Sequence, residues 1–234
     1  MYRRIRWLLV MTTGLVVVFA LTAAGYRDTA SQPSEAVPGP APGQHGSHGA
    51  ATSKDPAKAA EFQDAMRKLW EDHITWTRLF IVSAAADLPD MEPTAGRLLQ
   101  NQDDIGNSIK PYYGDAAGEH LTALLRDHIL IAGELLGAAK TGDDAATSDA
   151  RTRWYANGDD IARFLNSANA ANWKLGPMKQ MMREHLDLTL KEAVARLSGN
   201  YAADIAAYEE VHDAILEMAD MLSAGIIAQH PDKF

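Results

Sequence analysis

Three histidines recur in similar surroundings: His73 in "LWEDHITWT", His128 in "LLRDHILIA" and His185 in "MMREHLDLT". Each follows two large apolar residues and stands directly after an acid. A neutral imidazole offers a nitrogen lone pair, and histidine is the commonest protein ligand for a transition metal. Three imidazoles with an open fourth position suit zinc or copper. His212, or a carboxylate such as Asp103, Asp159 or Asp213, could complete or orient that set. The acids at Asp72, Asp127 and Glu184 are poorer ligands. Neighbours on a helix point about 100° apart, so these acids face solvent or flank the core if the histidines face inward.

A structural role competes with the metal role. A buried imidazole needs partners for both ring nitrogens, and an unsatisfied polar group inside costs about 1–3 kcal/mol. Each histidine could bond across a helical hairpin to an asparagine or aspartate and so fix which helices pair. Asn101 and Asn157, with Asp103, Asp159 and Asp213, are the residues expected to build this polar core.

Other chemistries find little footing. The chain has no cysteine, which removes thiolate sites, disulfides and cysteine nucleophiles. A di-iron bundle needs two Glu-x-x-His pairs, and only Glu209 with His212 fits. There is no His-Glu-x-x-His motif, phosphate loop or nucleophile elbow. Met181, Met182, Met218 and Met221 could meet a soft ion such as Cu(I), although filling gaps in a bundle is the commoner use of methionine. Trp76 and Trp154 fall at core spacing, while Trp173 lies in a connection.

The elements that must position these residues follow a 3.6-residue period. Six helices are expected, over about 56–86, 94–109, 118–140, 149–166, 177–197 and 201–228. His73, His128 and His185 fall within the apolar stripes of the first, third and fifth. "NQDDI" at 101–105 echoes "NGDDI" at 157–161, and "VHDAI" at 211–215 is a worn third copy. Offsets from each histidine to these segments are 28, 29 and 26 residues. The body therefore reads as an all-α, closed bundle of about six helices built from three pseudo-repeated helical hairpins.

"MYRRIR" followed by an uncharged run from Trp7 to Ala24 reads as a signal peptide or signal anchor over residues 1–27. Either reading places the body outside the cytoplasmic membrane, in the cell envelope or secreted, with the membrane as a partner if the segment stays uncleaved. Residues 28–55, rich in Pro, Gly, Ser and His, read as a disordered linker in which His45 and His48 are incidental. Residues 56–234 form the bundle domain. The net charge is −9, and −13 once the four arginines before Asp28 are set aside, which argues against nucleic-acid binding.

Five stretches, "LWEDHITWTR", "RLLQNQDDIGNSIKPYYG", "LTALLRDHILIAGELL", "WYANGDDIARFLNSAN" and "MADMLSAGIIAQHPDKF", resemble a family of uncharacterised bacterial exported helical-bundle proteins. The resemblance spans roughly residues 69–234. It implies a domain boundary near residue 56 and no particular activity. The expectation is a non-enzymatic extracytoplasmic module that binds a protein partner, a small ligand or a metal ion. The alternative is a metal-dependent enzyme using His73, His128 and His185 as ligands.

Overall fold

A computed structural model describes residues 54–234. The signal or anchor segment, and all of the linker except Lys54 and Asp55, lie outside the described residues.

Six long helices make up the body: α1 (Pro56–Ala85), α2 (Met91–Tyr113), α3 (Asp115–Thr141), α4 (Asp144–Ala168), α5 (Leu175–Leu197) and α6 (Tyr201–Gln229). Each packs beside its successor, and α6 returns to α1, so the described residues form an all-helical bundle. α1 also reaches α3 and α5 across the interior.

The ends are set by local chemistry. Asp55 caps α1 by accepting from the amides of Ala57 and Lys58, with Pro56 in the first position, where no N–H is needed. Asp143 caps α4 through the Ala146 amide, and Asn200 caps α6 through the Ala203 amide. Gly114, at φ 85°, makes the turn between α2 and α3 in a single residue.

Three expected boundaries are corrected. α2 begins at Met91 rather than Thr94, because Pro93 sits in the first turn, where a proline is tolerated. It also runs through Pro111 to Tyr113, so "KPYYGDAAG" is mostly helix. α4 starts at Asp144, ahead of the expected Ser148 or Asp149 cap.

The core holds Ile74, Leu98, Ile105, Ile161, Leu186, Ile215 and Ile226, all essentially solvent-free. α2 and α3 approach closely at Gly106 and Gly118. A Cβ on Gly118 would lie 2.6 Å from the Gly106 carbonyl oxygen, so an alanine there would push the helices apart. At the same end of the bundle the terminal Phe234 is buried. Its ring centroid lies 5.0 Å from that of Phe62 and 5.4 Å from that of Tyr112, and its carbonyl accepts from the Lys54 amide at 2.8 Å.

The start of α6 departs from its expected phase. Ile205, expected inside, is 56% exposed, while Asp204 is buried. The inward stripe runs Asp204, Ala207, Val211, Ile215, Met218, Leu222, Ile226. In this first stretch Ile205 is an apolar outlier on the wrong face, and a buried ion pair sets the phase instead.

Candidate functional site

His73 of α1, His128 of α3 and His185 of α5 are all buried and meet inside the bundle. The His185 ring centroid lies 5.8 Å from that of His73 and 6.2 Å from that of His128. All three line a small cavity of about 30 Å³, together with Trp70, Trp173, Met66, Met182 and Met218. That volume suits a single ion or one or two waters. No aspartate or glutamate is among its lining residues.

The three imidazoles are held differently. Asn157 Nδ2 donates to the Leu124 carbonyl at 3.0 Å, which turns Oδ1 towards His128 Nδ1 at 2.9 Å. An amide oxygen can only accept, so His128 carries its proton on Nδ1 and keeps a lone pair on Nε2. Asn101 Nδ2 likewise donates to a carbonyl four residues before a histidine, that of Leu69, at 3.0 Å. His73 itself, however, turns to Gln102. Gln102 Nε2 donates to the Leu98 carbonyl at 2.8 Å, and Asn101 Oδ1 and His73 Nδ1 both lie 3.2 Å from it. Three acceptors thus face the two protons of one amide group, and Gln102 Oε1 is buried without a partner, so this contact does not set the His73 tautomer as Asn157 sets that of His128. His185 has neither arrangement. Val211 stands where the other hairpins place asparagine, and His185 Nδ1 is buried with no partner.

Burial keeps all three rings neutral, since removing a cation from water outweighs the nearby hydrogen bonds. His73 is pushed down to about 3 by burial and then by the nearness of His128, against the pull of Gln102. Burial takes His128 down to about 4, opposed by Asn157. His185 falls well below the ordinary histidine range through burial and then through His73 and His128.

The remaining expected site residues lie elsewhere. His212 does not join the other three. It is half-buried on the flank of α6, with Nε2 3.3 Å from Glu71 Oε1. Asn101 and Asn157 are buried, but the three aspartates expected beside them are not, which corrects the polar core. Asp103 pairs with Arg126 at 3.1 Å near the surface, Asp159 with Lys179 and Arg183 at 3.0 Å, and Asp213 is exposed. Each aspartate is one or two positions past the inward face, and the helix turns it away from the histidines, Asp213 into solvent and the other two to half-buried positions. Among the described residues, no three His, Asp or Glu side chains stand close enough to share one metal ion.

A second buried polar group was not expected. Arg78 of α1 donates to Glu192 of α5 at 2.7 Å and to Asp204 of α6 at 2.8 Å, and Arg196 reaches Asp204 at 3.3 Å. Glu192 and Asp204 are each 1% exposed. Burial lifts Glu192 to about 7 against the opposing pull of Arg78. The Glu192 signal was available: it lies seven residues after His185 on the same stripe. Gln102, the partner of His73, was equally legible as the inward neighbour of Asn101.

Comparison with known protein families, curated proteins and solved structures finds no match. The chemistry therefore rests on the geometry of these residues alone.

Proposed function

We propose that this protein is a non-enzymatic binding module whose bundle interior takes up a small ligand or a metal ion at the three-histidine cavity. One observation carries the reading. Three neutral imidazoles border a cavity of about 30 Å³, and one of them leaves Nδ1 unpartnered although it is buried. Trp70 and Trp173 Nε1, of the same cavity lining, are also buried without a partner, so unsatisfied polar atoms gather around this cavity. Binding is favoured over catalysis because no carboxylate lines the cavity to act as general base.

The body reads as three helical hairpins of one design. Support comes from Asn101 and Asn157, which donate to carbonyls in matching positions, and from Thr77 and Thr189, which donate to the carbonyls of His73 and His185. The third hairpin, with Val211 for asparagine, frees its histidine for a ligand. The charge pattern of residues 1–27 supports an extracytoplasmic location.

The test is elemental analysis and native mass spectrometry of the full chain and of His185→Leu. The expected result is a bound ion or small molecule that the variant loses while its thermal midpoint holds or rises. Equal retention by the variant, or an empty wild-type protein that no ligand stabilises, would defeat the reading.

A further inference from the structure

We infer that the cavity holds a soft monovalent cation of the Cu(I) class between His128 and His185, with a methionine thioether beside it. This rests on the binding reading above and names its ligand.

Spacing is the first argument. With metal–nitrogen bonds of about 2 Å and about 1.1 Å from ring nitrogen to ring centre, collinear imidazoles stand about 6.2 Å apart, and tetrahedral ones about 5.1 Å. The His128 and His185 centroids are 6.2 Å apart. With the ring planes 26° apart, that separation admits an ion between the two rings and is wide for the tetrahedral geometry zinc prefers. Protonation is the second argument. Asn157 fixes the His128 proton on Nδ1 and leaves Nε2 as a donor atom, and His185 Nδ1 is unpartnered. His73 Nδ1 lies instead against the Gln102 amide, 3.2 Å from its Nε2.

Charge is the third argument. The cost of burying an ion grows as the square of its charge, so a divalent ion here costs about four times as much as a monovalent one. No acid lines the cavity to offset it. Met182 and Met218 do line it, and thioethers select soft ions. Finally, a surface groove between α5 and α6, about 630 Å³ in volume, shares His185 and Met218 with the cavity. It adds Met178, Met181 and Met221, with Glu184 and Glu217 at the rim. His185 and Met218 thus stand between the methionine-lined groove and the cavity. Glu184, the acid directly before that histidine, lines the groove but not the cavity.

The experiment is an anaerobic competition titration of the full chain against the Cu(I)–bicinchoninate complex, repeated with Ag(I), and with Zn(II) against a zinc indicator. One Cu(I) or Ag(I) per chain is expected, with Zn(II) bound far more weakly. Met182→Leu/Met218→Leu keeps side-chain volume, and its fold is checked by circular dichroism. Loss of a ligand should weaken Cu(I) by about tenfold or more, since even an outer partner of a ligand is worth that much. His185→Leu should abolish uptake. Zn(II) bound as tightly as Cu(I), with no effect of the methionine changes, would overturn the soft-ion assignment and leave the cavity reading standing. No uptake of any of the three ions by folded protein would also overturn it, leaving the small-ligand reading to its own test.

Discussion

Two buried polar regions share α1 and α5 and solve opposite problems. Near the α5–α6 turn, Arg78, Glu192, Asp204 and Arg196 bring charges inside and satisfy one another at 2.7 to 3.3 Å. A turn or two along the same helices, His73 and His185 meet His128 as neutral rings, and one of them goes unsatisfied. The first region is self-sufficient: every charge has its counter-charge within the fold. The second leaves buried nitrogen unpartnered, and the proposed binding reading rests on that. Burial alone is therefore no guide to function; whether the buried groups already satisfy each other is the better one.

The largest effect that would sharpen this contrast is acid. The folded values of His73 and His128, about 3 and about 4, lie below the ordinary 6.5. Between those limits the unfolded chain binds more protons, so stability falls as pH falls through this window. At pH 4 His73 and His128 each cost about 3 kcal/mol, and His185 acts in the same direction. Glu192 works in the other direction. Its folded value of about 7 exceeds the ordinary 4.5, so its share of stability is present in acid and lost as pH rises through 7. Its share, about 3 kcal/mol, is outweighed by His73 and His128 together. Urea denaturation across pH 4 to 8 should show marked acid destabilisation, and Glu192→Gln should steepen it. A flat profile would mean that the rings are not held neutral by burial.

Next in size is Asp204→Ala. It leaves Arg78 and Arg196 short of a counter-charge and should cost about 3–5 kcal/mol in chemical denaturation. A loss below about 1 kcal/mol would mean the cluster is hydrated rather than self-sufficient. Asn157→Leu comes third. It strips a partner from both His128 Nδ1 and the Leu124 carbonyl, an expected loss of about 2–3 kcal/mol by the same assay. The smallest effect has the opposite sign. His185→Leu removes an unpartnered buried nitrogen and should leave stability unchanged or raise it by about 1 kcal/mol. If it destabilises as much as Asn157→Leu does, His185 has a partner in solution and the contrast between the two regions fails.

Much of the fold could be read from periodicity. All six helices lie where the apolar spacing puts them, and the three histidines point inward because each shares a stripe with Leu, Ile or Met. Boundaries were less legible, because Pro93 and Pro111 read as breaks although both sit near the ends of α2, where a missing N–H costs little. Ile205 and Asp204 show a different limit. Hydropathy assigns the isoleucine to the core, yet the aspartate takes that place because Arg78, 126 residues away in sequence, meets it there. His212 fails for the same kind of reason: its residue type suits a ligand set, but its helix turns it to the flank, towards Glu71.

Helical period and apolar patterning are local properties, so the order of residues alone dictates that positions 56–234 make six helices and draw three imidazoles inside. Which nitrogen of a ring finds a partner and which is left open emerges only in the packed bundle. That choice depends on side chains from other helices, on Asn157 for His128, Gln102 for His73 and Val211 in the third hairpin, and hydrogen-bond direction across an interface is not written in the spacing of either helix.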